Sequence, residues 1–319
     1  MTRGRVGAST AMPARAWPDE SVPSESDGAD LGQAEDNTWL DGGLETSAKA
    51  AAENFPVALK LLPGRYRRHL MSAYCFARTV DDVGDLAPPA ERLRLLGELA
   101  DDVRRLYAAH PPGPEPRLAV VSGLADLVYE CQVPIEPFLA LIRANEQDQA
   151  ITRYQTFDEL LGYCRLSANP VGHIVLHIFG CYTQERARLS DYVCTGLQIA
   201  EHLQDVGEDV RNGRIYLPAE DLLDYGCTEE DLLAPTAGPG LRRLIAFEAD
   251  RTAGLIDSGA PLLRTLRGMS RAAVAGYVAG GRAALAAIAA ADYDVLAATR
   301  RPGKGRTAAE LVTALVRAR

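Results

Sequence analysis

Neither of the glycine signatures that hold nucleotides is present: there is no G-x-x-x-x-G-K-[S/T] run and no G-x-G-x-x-G after a strand-like segment. A Walker-type ATP site and a Rossmann-bound nicotinamide are therefore not indicated. The six cysteines (Cys75, Cys131, Cys164, Cys181, Cys194 and Cys227) form no CxxC pair. Most sit in apolar helical runs, where a thiol behaves as a small hydrophobe, so they read as reduced residues of a cytosolic protein. Basic charge is short, with 34 Lys+Arg against 43 Asp+Glu and a net charge of −9. That balance argues against a nucleic-acid partner, because phosphate contacts need clustered cations. An acidic chain that binds an anion needs a metal ion. The N-terminus mixes Arg3, Arg5 and Arg15 with Pro13 and Pro18 and lacks the apolar core of a secretory signal. The longest apolar run, Ala272 to Ala291, is glycine-rich and broken by Arg282, which makes a poor membrane span.

What is there is helical. Of 319 residues, 47% are hydrophobic and 24% charged, enough for one large domain with a deep core. Residues 1–44 are rich in Gly, Ser, Pro and acidic side chains without periodicity, a composition expected to stay disordered. From Ser47 the spacing predicts helices over 47–61, 64–85, 89–109, 115–131, 135–149, 156–181, 188–211, 239–260 and 268–290. Thr156-Phe157-Asp158-Glu159 reads as a capping box opening one of them. Strand-like alternation is scarce, so the fold class is all-α: one domain over 45–298, followed by a basic tail over 299–319. That tail is the one feature that suggests peripheral contact with the inner face of a membrane.

Two acidic clusters stand out. Asp81, Asp82 and Asp85 lie in a predicted helix that also carries Tyr74 and Arg78 on the same face. Asp205, Glu208 and Asp209 repeat the spacing, again with an interior glycine. Like charges at i, i+4 cost a few tenths of a kcal/mol per pair, roughly, and an interior Gly costs about 1 kcal/mol relative to Ala. One such face alone is as readily a solvated helix surface. Two of them, each near Arg side chains, point to Mg²⁺ clamping a diphosphate, since Mg²⁺ favours carboxylate oxygens and completes its octahedron with water and phosphate. Arg211 and Arg214, just past the second cluster, are candidates for phosphate oxygens, although Arg211 also suits the helix C-terminus on dipole grounds. Pro170 interrupts a long helical pattern and predicts a bend, as a packing kink or as a cavity wall. His173 and His177 are spaced i, i+4, but Ile174 stands where a zinc protease has Glu, and His202 reads as structural.

These motifs, taken in order, resemble the squalene/phytoene synthase family: the Tyr74–Asp85 segment, Tyr163-Cys164-Arg165, then Asp205-Val206-Gly207-Glu208-Asp209 and Gly213-Arg214-Ile215-Tyr216-Leu217-Pro218. The resemblance covers about residues 47–298. Glu53-Asn54-Phe55-Pro56-Val57 and Ser167-Ala168-Asn169-Pro170-Val171-Gly172 are similar to the bacterial hydroxysqualene synthase branch. That family implies a single-domain isoprenoid-synthase bundle with a central cavity. It assigns Asp81, Asp85, Asp205 and Asp209 to Mg²⁺ (with Mn²⁺ as a substitute), and Asp82 and Glu208 to their support. It assigns Arg78, Arg165 and Arg214 to the diphosphate, Tyr74 and Tyr163 to the reaction centre, Phe55 to the channel entrance and Gln198 to the adjoining wall. The chain departs from many members in having Glu201 for Asn and Gln204 for Arg.

The implied chemistry is ionisation of presqualene diphosphate, stabilisation of the cation by the faces of Tyr74, Tyr163 and Phe179, and capture by water to give hydroxysqualene. No NADPH is expected. A presqualene diphosphate synthase and a flavin-dependent reductase of hopanoid precursor synthesis are the implied pathway partners. The alternatives are head-to-head condensation of two prenyl diphosphates to presqualene diphosphate, squalene or phytoene, and a non-catalytic scaffold on the same fold.

Overall fold

The computed structural model describes residues 62–108 and 115–297, together with helical positions 307, 310, 311, 313 and 314. All of them fall in the unit Asn37–Arg319. The N-terminal segment 1–44, the predicted helix 47–61 with Phe55, and most of the basic tail lie outside the described residues.

Twelve α-helices are described: α1 Gly64–Leu86, α2 Arg92–Ala108, α3 Ala119–Ser122, α4 Ala125–Cys131, α5 Glu136–Asp148, α6 Phe157–Ser167, α7 Asn169–Ile178, α8 Gln184–Arg211, α9 Ala219–Asp224, α10 Pro239–Gly259, α11 Leu262–Thr265 and α12 Gly268–Ala290. Among the described residues there is no strand, only an isolated bridge between Arg153 and Ile215. The all-α expectation holds. Short helices were not predicted because a run of four to six residues cannot display a 3.6-residue period.

Local chemistry sets the ends. Thr156 accepts from the Glu159 amide at 3.3 Å, while Glu159 Oε2 accepts from the Gln155 amide at 2.6 Å, so the box closes one residue earlier than its usual form. Thr183 likewise accepts from the Arg186 amide at 3.2 Å and starts α8 four residues before the predicted position. The predicted 156–181 helix breaks at Ala168 (φ −108°, ψ −49°), and Pro170 takes the second position of α7, where its missing N–H is harmless.

Apolar side chains pack into two clusters. One gathers α8, α10 and α12 around Ile199, Leu244, Ile256 and Val278. The other gathers α1, α2 and α5 around Phe76, Leu96, Leu99 and Phe138. The short helix α7 joins them, giving Leu176 to the first and Ile174, Val175 and Ile178 to the second. Alone among the described helices, α12 is long and apolar enough to cross a membrane by composition; half of its apolar window is buried against the bundle, and Arg282 pairs with Asp257 of α10.

Candidate active site

One cavity of about 270 Å³ opens between α1, α5 and α8, and both acidic clusters face it: Asp81 and Asp85 from α1, Asp205 and Asp209 from α8, with Glu201 beside them. The i, i+4 spacing accounts for this, since four residues advance a helix by only about 40° beyond a full turn. Asp82 and Glu208 are placed differently. Asp82 turns to Arg78 along its own helix at 3.0 Å, Glu208 is exposed, and neither lines the cavity. The two faces are linked by Arg214, whose Nη1 lies 2.8 Å from Asp85 Oδ1.

Arg214 reaches that position because α8 ends at Asn212 and the chain reverses at Gly213, whose φ of +81° suits a residue without Cβ. The reversed segment is tied to the α5–α6 connection: the Ile215 amide donates to Thr152 O (2.9 Å) and the Ala219 amide to Tyr154 O (2.9 Å). Tyr216 is thereby buried in the cavity wall, stacked on His202 with centroids 3.7 Å apart and rings inclined by 13°. His202, read from the sequence as structural, lies in the wall with its Nε2 3.1 Å from Gln198 Nε2.

The third wall, α5, went unrecognised in the sequence. Asn145 Nδ2 donates to Asp81 Oδ1 at 3.1 Å, and Gln149 Nε2 donates to the Gly84 carbonyl at 3.1 Å. A Cβ at Gly84 would lie 2.2 Å from Asn145 Oδ1, so the interior glycine that looked costly on propensity lets α1 approach α5. Asp148 Oδ2 accepts from the Tyr163 hydroxyl at 2.8 Å, while its other oxygen is buried without a hydrogen-bond partner. The spacing of Asn145 and Asp148 on one helix face was the available signal.

Among the described residues that line the cavity, carboxylates outnumber cations. Enclosure by protein pushes the Asp81 carboxyl up to about 7; the Asn145 hydrogen bond opposes that and the Asp85 charge adds to it. Its side chain is open to the cavity, so water screens part of the effect. Asp205 is pushed up to about 6 by burial first and then by Glu201, Asp209 and Glu208. Burial also raises Asp148 to about 6. Among the described residues no three His, Cys, Asp or Glu converge on a single ion position. The carboxylates face one another across a gap instead.

Two apolar cavities adjoin the polar one. The first, about 260 Å³, is reached past Asp81 and Arg78 and is lined by Leu70, Tyr74, Leu141 and Ile174. The second, about 190 Å³, shares Ser167, Gln198 and Glu201 with the polar cavity and runs between α7, α8 and α12. Tyr163 therefore stands at the polar end and Tyr74 in an apolar one. Arg165 and Arg211 are exposed and line none of these cavities; Arg165 is two residues past the buried Tyr163, hence on the far side of α6. Phe179 packs on Tyr66, with centroids 4.9 Å apart, away from the cavities. His173 pairs with Asp191 at 2.8 Å and His177 stacks on Tyr182, so the two imidazoles do not converge on a metal.

The family model for squalene/phytoene synthase matches residues 48–307. The hydroxysqualene synthase of Rhodopseudomonas palustris is 34% identical over 67% of this chain and 72% of its own length. The phytoene synthase of Mycobacterium tuberculosis is also 34% identical, over 72% of this chain and 76% of its own. The crystal structure of squalene synthase HpnC from Alicyclobacillus acidocaldarius superposes with a TM-score of 0.71 at 40% identity, covering 80% of this chain and 95% of that one. By the family model over most of its length, by sequence identity and by fold, this chain belongs to the squalene/phytoene synthase family of prenyltransferase-type enzymes.

Proposed function

We propose that the protein converts presqualene diphosphate to hydroxysqualene and diphosphate, with Mg²⁺ held between the two acidic faces. The observation that carries the reading is the joining of one polar cavity, walled by Asp81, Asp85, Asp205 and Asp209, to two apolar cavities suited to prenyl chains. The residues fit Mg²⁺ as an ion shared with substrate: it is commonly bound by one or two carboxylates plus phosphate oxygens and waters, which suits carboxylates facing across a gap rather than closing on a point. When bound, Mg²⁺ acts as a Lewis acid that neutralises the leaving diphosphate.

The chain's own groups do the rest. Arg214, released from Asp85, donates to phosphate oxygens, and Arg78 stands at the passage from the polar cavity into the larger apolar one. The π faces of Tyr74 and Tyr163 supply cation–π attraction of about 1–2 kcal/mol each once water is excluded. Asp148 holds the Tyr163 ring in place through its hydroxyl. Mn²⁺ is expected to substitute for Mg²⁺, and no NADPH is required because capture by water is not a reduction. A presqualene diphosphate synthase would supply the substrate and a flavin-dependent reductase would consume the alcohol. The six free thiols suit a reducing cytoplasm, with peripheral contact at the inner membrane face for delivery of so apolar a product.

Similarity to the M. tuberculosis phytoene synthase supports a second reading, head-to-head condensation of two prenyl diphosphates. Purified protein with Mg²⁺ should give hydroxysqualene from presqualene diphosphate without NADPH. Phytoene from geranylgeranyl diphosphate, with no turnover of presqualene diphosphate, would replace the first reading with the second.

A further inference from the structure

The polar cavity and the smaller apolar cavity share three polar side chains, Ser167, Gln198 and Glu201. Under the proposed function, on which this inference rests, ionisation leaves the diphosphate on the polar side and the cation at that boundary. A water bound there is the one placed to capture it. Glu201 lies one helical turn before Asp205, on the acidic face, and Gln198 has its amide nitrogen engaged with His202 at 3.1 Å. Ser167 approaches from the opposite wall, as the last residue of α6 just before the break at Ala168.

The Ser167 hydroxyl donates to the Tyr163 carbonyl, one turn back, at 3.3 Å. With its proton committed there, the oxygen offers the cavity only lone pairs, so toward solvent it is an acceptor. An acceptor is what a capturing water needs. Held by one O–H, the water keeps a lone pair free to point at carbon. A neutral hydroxyl suits this better than a carboxylate, whose own oxygen would bond to the cation.

We propose that Ser167 positions the water that captures the carbocation. The carbon–oxygen bond to diphosphate breaks, with the electron pair leaving on the diphosphate. A lone pair of the Ser167-bound water then forms the new C–O bond, and the resulting oxonium passes a proton to the released diphosphate in the same polar cavity. Substrate and water thus become alcohol and protonated diphosphate, with no oxidant or reductant involved.

The test is the amount of alcohol formed per diphosphate released, measured on presqualene diphosphate for the wild-type protein, Ser167→Ala and Ser167→Thr. The wild type should give close to one alcohol per diphosphate. Ser167→Ala should lower that ratio about tenfold, the equivalent of ~1.4 kcal/mol for one lost hydrogen bond to the water, with olefins from proton loss making up the balance. Ser167→Thr, which keeps the hydroxyl, should retain the wild-type ratio. A packing role alone would alter rate or melting temperature but not this partition. An unchanged ratio in Ser167→Ala, or a fall in Ser167→Thr as deep as in Ser167→Ala, overturns the inference and leaves the proposed function standing. Diphosphate release by the wild type without any alcohol overturns both.

Discussion

Replacing Arg214 with Gln separates a structural ion pair from a phosphate contact. Arg214 Nη1 bonds Asp85 Oδ1 at 2.8 Å, but the Asp85 side chain is 49% exposed. A pair that open to solvent contributes at most about 1 kcal/mol to stability, so the melting temperature should fall by only a few degrees. Toward diphosphate the same guanidinium makes charge-assisted hydrogen bonds worth roughly 1.5–3 kcal/mol, which predicts a fall in kcat/KM of about 10- to 100-fold. Lys at this position should recover part of the loss, since it keeps charge but not the fork. Arg165→Gln is the control: exposed and outside the cavities, it should change kcat/KM by less than about threefold, within the scatter of surface substitutions. Thermal melts by circular dichroism and steady-state diphosphate release measure both quantities. If Arg214→Gln lowers stability by several kcal/mol while sparing kcat/KM, or if Arg165→Gln proves as damaging, the assignment of Arg214 to the diphosphate is wrong.

Asp81 (raised to about 7), Asp205 and Asp148 (raised to about 6) are more acidic unfolded than folded, so each contributes stability at low pH that is lost as pH rises from the unfolded value near 4 through the folded one. Mg²⁺ requires the deprotonated forms, so the rise in melting temperature that it produces should grow between pH 5 and about 7.5, as read by differential scanning calorimetry; a rise independent of pH would contradict this. Gly84→Ala should destabilise by about 1–3 kcal/mol, because the added methyl meets Asn145 Oδ1 at 2.2 Å, and Gly84→Ala/Asn145→Ala should recover much of that loss in denaturant titrations. A Gly84→Ala protein as stable as wild type would show that α1 and α5 do not need this close approach.

Much of the bundle was legible because its helices are long and periodic, and Asn169-Pro170 marked the α6–α7 break within two residues. The acidic faces were legible for the same reason: 81 with 85, and 205 with 209, each stay on one stripe. Asp82 lies about 100° round the helix from Asp81, where it pairs with Arg78. The α5 wall and the Tyr216–His202 stack were not legible. They form only when the 213–218 segment returns to Thr152 and Tyr154, a pairing between distant parts of the chain that no local pattern encodes. Arg165 was placed by resemblance alone; its side chain is exposed and lines none of the three cavities described.

The central claim, that two facing carboxylate stripes become a diphosphate site only with a divalent ion between them, is tested most directly by titrating inorganic diphosphate into the protein by calorimetry with and without Mg²⁺. Binding should require Mg²⁺ and disappear in both Asp81→Asn and Asp209→Asn while their circular dichroism stays that of the wild type. Equal diphosphate affinity without the ion, or Mg²⁺-dependent binding that survives both substitutions, would contradict the account.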